Sequence, residues 1–226
     1  MRIRDRLGIS EKTQEDLTRF MQVFLVGIMF FGLYVGNTKV IVNGGMGLAV
    51  TFIPGFLERK YSITLDAGLA LWITSAVFLH AIGAVSVNGS HLYGSVWWWD
   101  HMTHTLSASV VTAAGYTTIR AFEEHSDELH FPRKLMFAFI LIFILALGVF
   151  WEILEFAITM LSELIGMETI LTQYGLEDTM KDLIFNTAGA IIVATFGDLY
   201  LKGTIEQTTE YIKNKGQNLT NYELAN

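Results

Sequence analysis

The sequence predicts an all-α protein whose helices cross a membrane about six times. Hydrophobic residues make up 52% of the 226 residues, charged residues make up 16%, and the mean hydropathy is +0.42. Soluble domains carry about 25% charged residues, so this chain is too apolar for that class. A formal net charge of -7 excludes the basic footprint of a nucleic-acid-binding protein. The chain contains no cysteine, which excludes disulfides, thiolate metal sites and a cysteine nucleophile.

The chain divides into a polar leader, one membrane domain and a polar tail. Residues 1–19 predict a cytoplasmic leader, with Ser10 placed to cap a helix, and residues 202–226 predict a cytoplasmic tail. The membrane domain covers residues 20–201. Its first span, residues 20–38, is an uncharged run of the right length, since roughly 20 residues at 1.5 Å each cross a bilayer core.

Five further spans follow at regular intervals. Residues 40–57 form the weakest, because Pro54 and the cluster Gly44, Gly45 and Gly47 loosen it, and a re-entrant segment is the alternative. Glycines at this spacing are more typical of close helix packing than of a ligand loop. The third span is 65–85, and Trp97–Trp99 forms an interfacial anchor at the start of the fourth, 97–119. The last two spans are 133–161, which begins after Pro132, and 178–201.

The distribution of lysine and arginine predicts the orientation. With six crossings and a cytoplasmic N-terminus, 13 of these residues lie inside and only Lys39 and Lys181 lie outside. Cytoplasmic loops carry such an excess of positive charge. Removing the second span would spoil this asymmetry, so the charge count favours six crossings with both termini cytoplasmic, in the plasma or inner membrane.

This topology brings ionisable residues from four spans to one layer near the outer side of the membrane. Asp100 and His104 are four residues apart and share a helix face, whereas His101 points elsewhere. Ionisable groups inside membrane spans are costly and indicate function. The layer contains two histidines and five acids: His80, Asp100, His104, Glu152, Glu155, Asp178 and Asp182.

The density of carboxylates predicts a bound divalent cation. Five acids with only Lys181 nearby cannot all stay charged in a low-dielectric setting, so either a cation binds or some acids stay protonated. Carboxylate and imidazole ligands suit Zn, Mn, Mg or Ca. We expect Asp100 or His80 to orient ligands or act as a general base. The predicted ligands are His104, Glu152, Glu155, Asp178 and Asp182.

Four short pieces of the chain resemble a known family. They are FLHAIG at 78–83, WDHMTH at 99–104, FWEILEF at 150–156 and LTQYGLEDTMKDL at 171–183. Together they resemble the YjdF-like inner-membrane proteins, and their order is more distantly similar to VanZ-like membrane proteins. The resemblance covers about residues 40–200 and implies a polytopic membrane fold. It matches the acids and His104 to the family's polar positions but carries no biochemical activity.

The sequence therefore favours a membrane-embedded, metal-dependent hydrolase or transferase acting on a lipid or lipid-linked substrate at the outer leaflet. It contains no His-Glu-x-x-His or Gly-x-Ser-x-Gly motif that would identify the reaction. Two alternatives stay open. The same acids could bind a cation or relay protons in a transporter or channel, or they could form a hydrogen-bonded network in a structural membrane protein.

Overall fold

The computed structural model describes residues 9–86, 89–126, 128–166, 169–171 and 174–224. Residues 1–8 of the predicted leader and 225–226 of the predicted tail lie outside the described residues. The described parts of the chain contain nine helices: α1 (Glu11–Val35), α2 (Thr38–Thr51), α3 (Ile53–Tyr61), α4 (Ala67–Ala84), α5 (Leu92–Ser95), α6 (Trp99–His125), α7 (Arg133–Ile165), α8 (Leu176–Tyr200) and α9 (Lys202–Leu224).

Five helical stretches are long and apolar enough to cross a membrane. They are α1, the combined α2 and α3, α4, α7 and α8. These stretches confirm the prediction of an all-α, multi-pass membrane protein, and they include the weak second span, Thr38–Tyr61, which has 24 residues. The predicted fourth span corresponds to α6, which has 27 residues but is more polar than the other five.

The polarity of α6 follows from its central position. It packs against α4, α7, α8 and α9, so much of its surface faces protein and not lipid. Its buried face carries Thr103, Ser109, Thr112, Tyr116 and Thr117. Thr103 and Ser109 donate to backbone carbonyls one turn earlier and Tyr116 donates to a neighbouring helix, which allows these hydroxyl groups to be buried.

Local sequence signals determine where the helices begin and end. The amide of Thr13 donates to Ser10 Oγ at 3.1 Å, so Ser10 caps α1 as predicted. Pro54 interrupts the second span between α2 and α3, because proline lacks an amide hydrogen for the helix. At its other end, α1 stops at Gly36, whose φ of 67° is in the left-handed region that glycine adopts readily.

The helices form two packed groups. In the first, α1, α2 and α4 surround a core that includes Leu25 and Phe78. Cβ atoms built at Gly44 and Gly47 would lie 3.1 Å from Ile28 and 3.3 Å from Leu25, which confirms close packing at these two glycines. In the second group, α6, α7 and α8 share a larger core.

The polar tail forms a helix that lies against the second group. Leu201 and Ile205, at the junction of α8 and α9, are buried in the larger core. Gln207 accepts a hydrogen bond from the Thr64 amide at 2.6 Å and donates one to the Thr64 carbonyl at 3.2 Å. These contacts attach α9 to the segment that precedes α4.

Candidate functional site

The site begins with a close approach of α6 and α8 at Gly189. A Cβ atom built at Gly189 would overlap the carbonyl oxygen of Thr105 and lie 3.0 Å from the amide nitrogen of Ser109. Glycine therefore lets the two backbones meet. Asn186 and Asp182 lie about one and two turns before Gly189, so the same contact brings both residues against His104.

Three side chains converge at this helix pair. His104 Nε2 lies 3.5 Å from Asp100 Oδ1 and 3.5 Å from Asp182 Oδ1. One ligand atom from each residue lies within 4.8 Å of the other two. Asp182 is 2% exposed, and within the described residues its Oδ1 atom has no hydrogen-bond donor. A buried carboxylate oxygen without a donor is costly, so this position favours a positive charge.

Asn186 sets the tautomer of His104. The His104 Nδ1 atom lies 3.3 Å from Asn186 Oδ1, and an amide oxygen only accepts hydrogen bonds. Nδ1 therefore carries a hydrogen, and in the neutral ring the Nε2 lone pair would face the two aspartates. Three acceptor atoms then face one another, which requires a cation or a shared proton. Metal-binding histidines commonly donate their other N–H group to an oxygen in this way.

A small cavity adjoins these three residues. Its volume is about 50 Å³, and Glu155 and Asp178 add two further carboxylates to its wall. Trp151 Nε1 donates to Glu155 Oε1 at 2.9 Å, which fixes one of these groups. A cavity needs a volume of roughly 10–15 Å³ to hold one water, so this cavity accommodates ions with a few waters. Ile170, Leu171 and Tyr174 also line the cavity.

Glu152 lies beside the cavity, between α7 and α8. It is 6% exposed, and its Oε2 atom accepts a hydrogen bond from Thr179 at 2.6 Å. Its Oε1 atom is buried and has no hydrogen-bond partner among the described residues. Like the free oxygen of Asp182, this oxygen has unused capacity to bind a cation.

His80 lines the opposite wall, with both ring nitrogens engaged. Asn43 Nδ2 donates to the Lys39 carbonyl at 2.8 Å, so Asn43 Oδ1 is the acceptor that faces His80 Nε2 at 3.0 Å. His80 Nδ1 is then the acceptor for the Tyr93 hydroxyl at 2.7 Å. Burial raises the pKa of Tyr93, which keeps the phenol protonated as this donor.

The structure arranges the predicted residues in a definite order around the cavity. His104 lies 3.5 Å from both Asp182 and Asp100, and for Asp100 the sequence predicted only a supporting role. His80, Glu155 and Asp178 line the same cavity, and Glu152 lies next to it. Their roles as ligands or catalytic groups stay predictions. The ring of His101 stacks on Phe185 at 4.2 Å, outside the cavity wall, as predicted.

Among the wall residues that sequence reasoning did not find are Lys39, Asn43 and Tyr93. Lys39 and Asn43 lie on α2, whose glycines and asparagine look like the signs of a weak span. Tyr93 belongs to a turn-rich segment before α6. The sequence did contain one signal for Lys39, because it is one of only two basic residues on the predicted outer side.

The fold and the site together define a multi-pass helical membrane protein with a partly buried cluster of acids and histidine. Residues 17–203 match the family of predicted membrane proteins DUF2238, and the chain belongs to this family. It is 33% identical over 190 residues to an uncharacterized protein of Thermotoga maritima, a match that covers 81% of this chain and 90% of that relative. No solved structure matches the chain. These descriptions name no activity, so a function has to be argued from the site.

Proposed function

We propose that Asp100, His104 and Asp182 bind a divalent metal ion and that the protein is a metal-dependent hydrolase or transferase acting on a lipid or lipid-linked substrate. One observation carries the proposal. The Nε2 lone pair of His104 and two carboxylate oxygens meet within 4.8 Å, and Asn186 holds the imidazole in the tautomer that a metal ligand requires. The resemblance to YjdF-like and VanZ-like proteins stays a prediction and adds no activity.

The donor set limits the choice of metal. One imidazole and several carboxylates suit Zn²⁺ and Mn²⁺ better than Mg²⁺ or Ca²⁺, which prefer oxygen ligands alone. A bound ion of this kind turns a water into a nucleophile near neutral pH. Glu155 lines the cavity beside the three residues and is the candidate to accept a proton from that water.

The position of the site supports a lipid-derived substrate. Four of the helices that line the cavity, α2, α4, α7 and α8, belong to stretches apolar enough to cross a bilayer. A fifth, α6, packs against three of them. Their outer faces expose large apolar side chains such as Ile142, Ile184 and Leu199. A substrate that reaches such a cavity from the membrane would carry an apolar portion.

Because both ring nitrogens of His80 are engaged, we assign His80 to positioning Tyr93 and not to proton transfer.

Elemental analysis of the detergent-purified protein tests the metal site. We expect bound Zn²⁺ or Mn²⁺ in the wild type and its loss in His104→Gln and Asp182→Asn. Glu177→Gln is the matched control, because Glu177 is also on α8 but is 86% exposed and pairs with Lys181. A folded wild type that binds no metal after incubation with Zn²⁺, Mn²⁺, Mg²⁺ and Ca²⁺ would contradict the proposal.

A second measurement tests the reaction. Metal-loaded protein is incubated with vesicles of phosphatidylethanolamine and phosphatidylglycerol, and mass spectrometry follows release of headgroups or acyl chains. We expect turnover by the wild type and the Glu177→Gln control and none by His104→Gln. Metal binding without turnover of these lipids would contradict the proposed reaction and leave the metal site in place.

Transport of a cation or protons is the second candidate, and one observation favours it. Buried hydroxyl groups on α6 continue from the cavity through Ser109 and Thr112 to Tyr116, which donates to Asp198 at 2.6 Å near the other end of the bundle. Within the described residues, Thr112 Oγ1 has no hydrogen-bond partner. Proton or Mn²⁺ flux into liposomes containing the wild type, lost in Thr112→Val, would support this alternative.

A further inference from the structure

A second pair of carboxylates lies next to the proposed metal site and supplies no ligand to its ion. Glu152 and Glu155 are three residues apart on one face of α7, and both are at most 9% exposed. α7 packs against α8, where Asp178 and Asp182 are four residues apart. Asp182 thus lies beside His104 on a helix that also packs against the α7 carboxylates' helix.

We propose that Glu152, Glu155 and Asp178 bind a second divalent cation and that Asp182 lies between the two ions as a shared ligand. This inference rests on the proposed function, because it assumes that Asp100, His104 and Asp182 hold the first ion. Buried carboxylates in helical bundles form paired metal sites of this type, and two ions bridged by a carboxylate act together on a single substrate.

Two oxygens without donors support the second site. Glu152 Oε1 and Asp182 Oδ1 are both buried, and neither has a hydrogen-bond partner among the described residues. Thr179 and Trp151 already engage the other oxygen of Glu152 and one oxygen of Glu155. These two hydrogen bonds hold the α7 carboxylates in place beside α8, as groups around a metal ligand commonly do.

The balance of charge also supports more than one ion. Five carboxylates lie in or beside the cavity, and Lys39 is the one lysine or arginine among the described residues of its wall. Lys181 pairs with Glu177, so it adds no positive charge to the cavity. One divalent ion and Lys39 supply three positive charges against five negative ones, and a second divalent ion brings the positive charge to five. Buried charges without such compensation are costly.

The two sites should differ in affinity. The described residues bring three ligand atoms within 4.8 Å only at Asp100, His104 and Asp182, so that site is closer to the geometry of a bound ion. Glu152, Glu155 and Asp178 do not form such a group among the described residues, and their like charges repel one another, so binding there includes the cost of drawing them together. We therefore expect the second ion to bind more weakly and to leave first on dialysis.

Counting Mn²⁺ ions tests the proposal. The wild type in detergent is titrated with Mn²⁺, bound metal is measured by equilibrium dialysis, and electron paramagnetic resonance detects magnetic coupling between neighbouring ions. We expect two Mn²⁺ per chain with a coupled spectrum, and one uncoupled Mn²⁺ per chain in Glu155→Gln and in Glu152→Gln/Glu155→Gln. Glu163→Gln is the matched control, since Glu163 lies on the same helix but is exposed, and it should keep both ions.

The outcomes separate this inference from the proposed function. One Mn²⁺ per chain in the wild type, unchanged in Glu155→Gln, overturns the second site and leaves the first in place. No bound Mn²⁺ in a folded wild type overturns both proposals. Two ions retained in folded Glu152→Gln/Glu155→Gln, with folding checked by circular dichroism, also overturn the assignment of the second site to α7.

Discussion

Replacing Gly189 by alanine tests the close approach that builds the site. The added Cβ atom meets the backbone carbonyl of Thr105, which cannot rotate away as a flexible side chain would. The helices α6 and α8 must therefore separate by roughly 1 Å before the contact reaches an ordinary van der Waals distance. Overpacking of this kind costs about 1–3 kcal/mol, partly offset by the gain of up to about 1 kcal/mol in helix propensity.

The same displacement should weaken metal binding. His104 Nε2 and Asp182 Oδ1 are 3.5 Å apart, and two ligand atoms at about 2.0–2.2 Å from one ion can be at most about 4.4 Å apart. Moving the two helices apart by roughly 1 Å would bring these two atoms to about that limit. Functional sites tolerate ligand displacements of only about 0.5 Å. We expect Gly189→Ala to lower Mn²⁺ affinity at least about tenfold, or about 1.4 kcal/mol.

Thermal unfolding in detergent, followed by tryptophan fluorescence, and Mn²⁺ titration measure the two effects. The matched control is Gly27→Ala on α1, where a Cβ atom would have nothing within 4 Å. This control should be as stable as the wild type or more stable by up to about 1 kcal/mol. The reasoning is refuted if Gly189→Ala equals Gly27→Ala in both unfolding temperature and Mn²⁺ affinity.

Two other substitutions test the hydrogen bonds that position the site. Asn186→Leu removes the acceptor for His104 Nδ1. We expect the Mn²⁺ affinity of the folded variant to fall about 10–100-fold. Unchanged affinity would exclude Asn186 as the group that sets the tautomer. Tyr93→Phe leaves His80 Nδ1 without its donor, and the free energy of unfolding should fall by about 1–3 kcal/mol, whereas Tyr34→Phe, at an 89% exposed position, should change nothing. Because burial raises the pKa of Tyr93 in the folded state, its stabilising effect should be complete below about pH 10 and lost as the pH rises further. Unfolding measured from pH 7 to 11 checks this sign, and a wild type whose stability rose above pH 10 would contradict it.

The sequence by itself determined the class of protein and predicted which residues share one layer. Runs of apolar residues specify membrane helices because an unpaired backbone cannot lie in hydrocarbon, and a helix rises by a constant distance per residue. From these two facts Asp100, His104 and Asp182 could be placed in one layer. Helix spacing also predicted that His101 points away from Asp100 and His104, and its ring stacks on Phe185.

Only the tertiary structure decided which of these residues meet. Residue number sets the height of a side chain on a helix, but the direction in which it points relative to other helices depends on how the helices pack. The contact at Gly189 turns Asp182 and Asn186 toward His104, and α7 packs with Glu152 against Thr179. The partners of His80 come from α2 and from the segment before α6, far from it in sequence, so no local pattern could identify Asn43 and Tyr93. Periodicity carries no information about such long-range neighbours, because they are selected by the packing of the whole bundle.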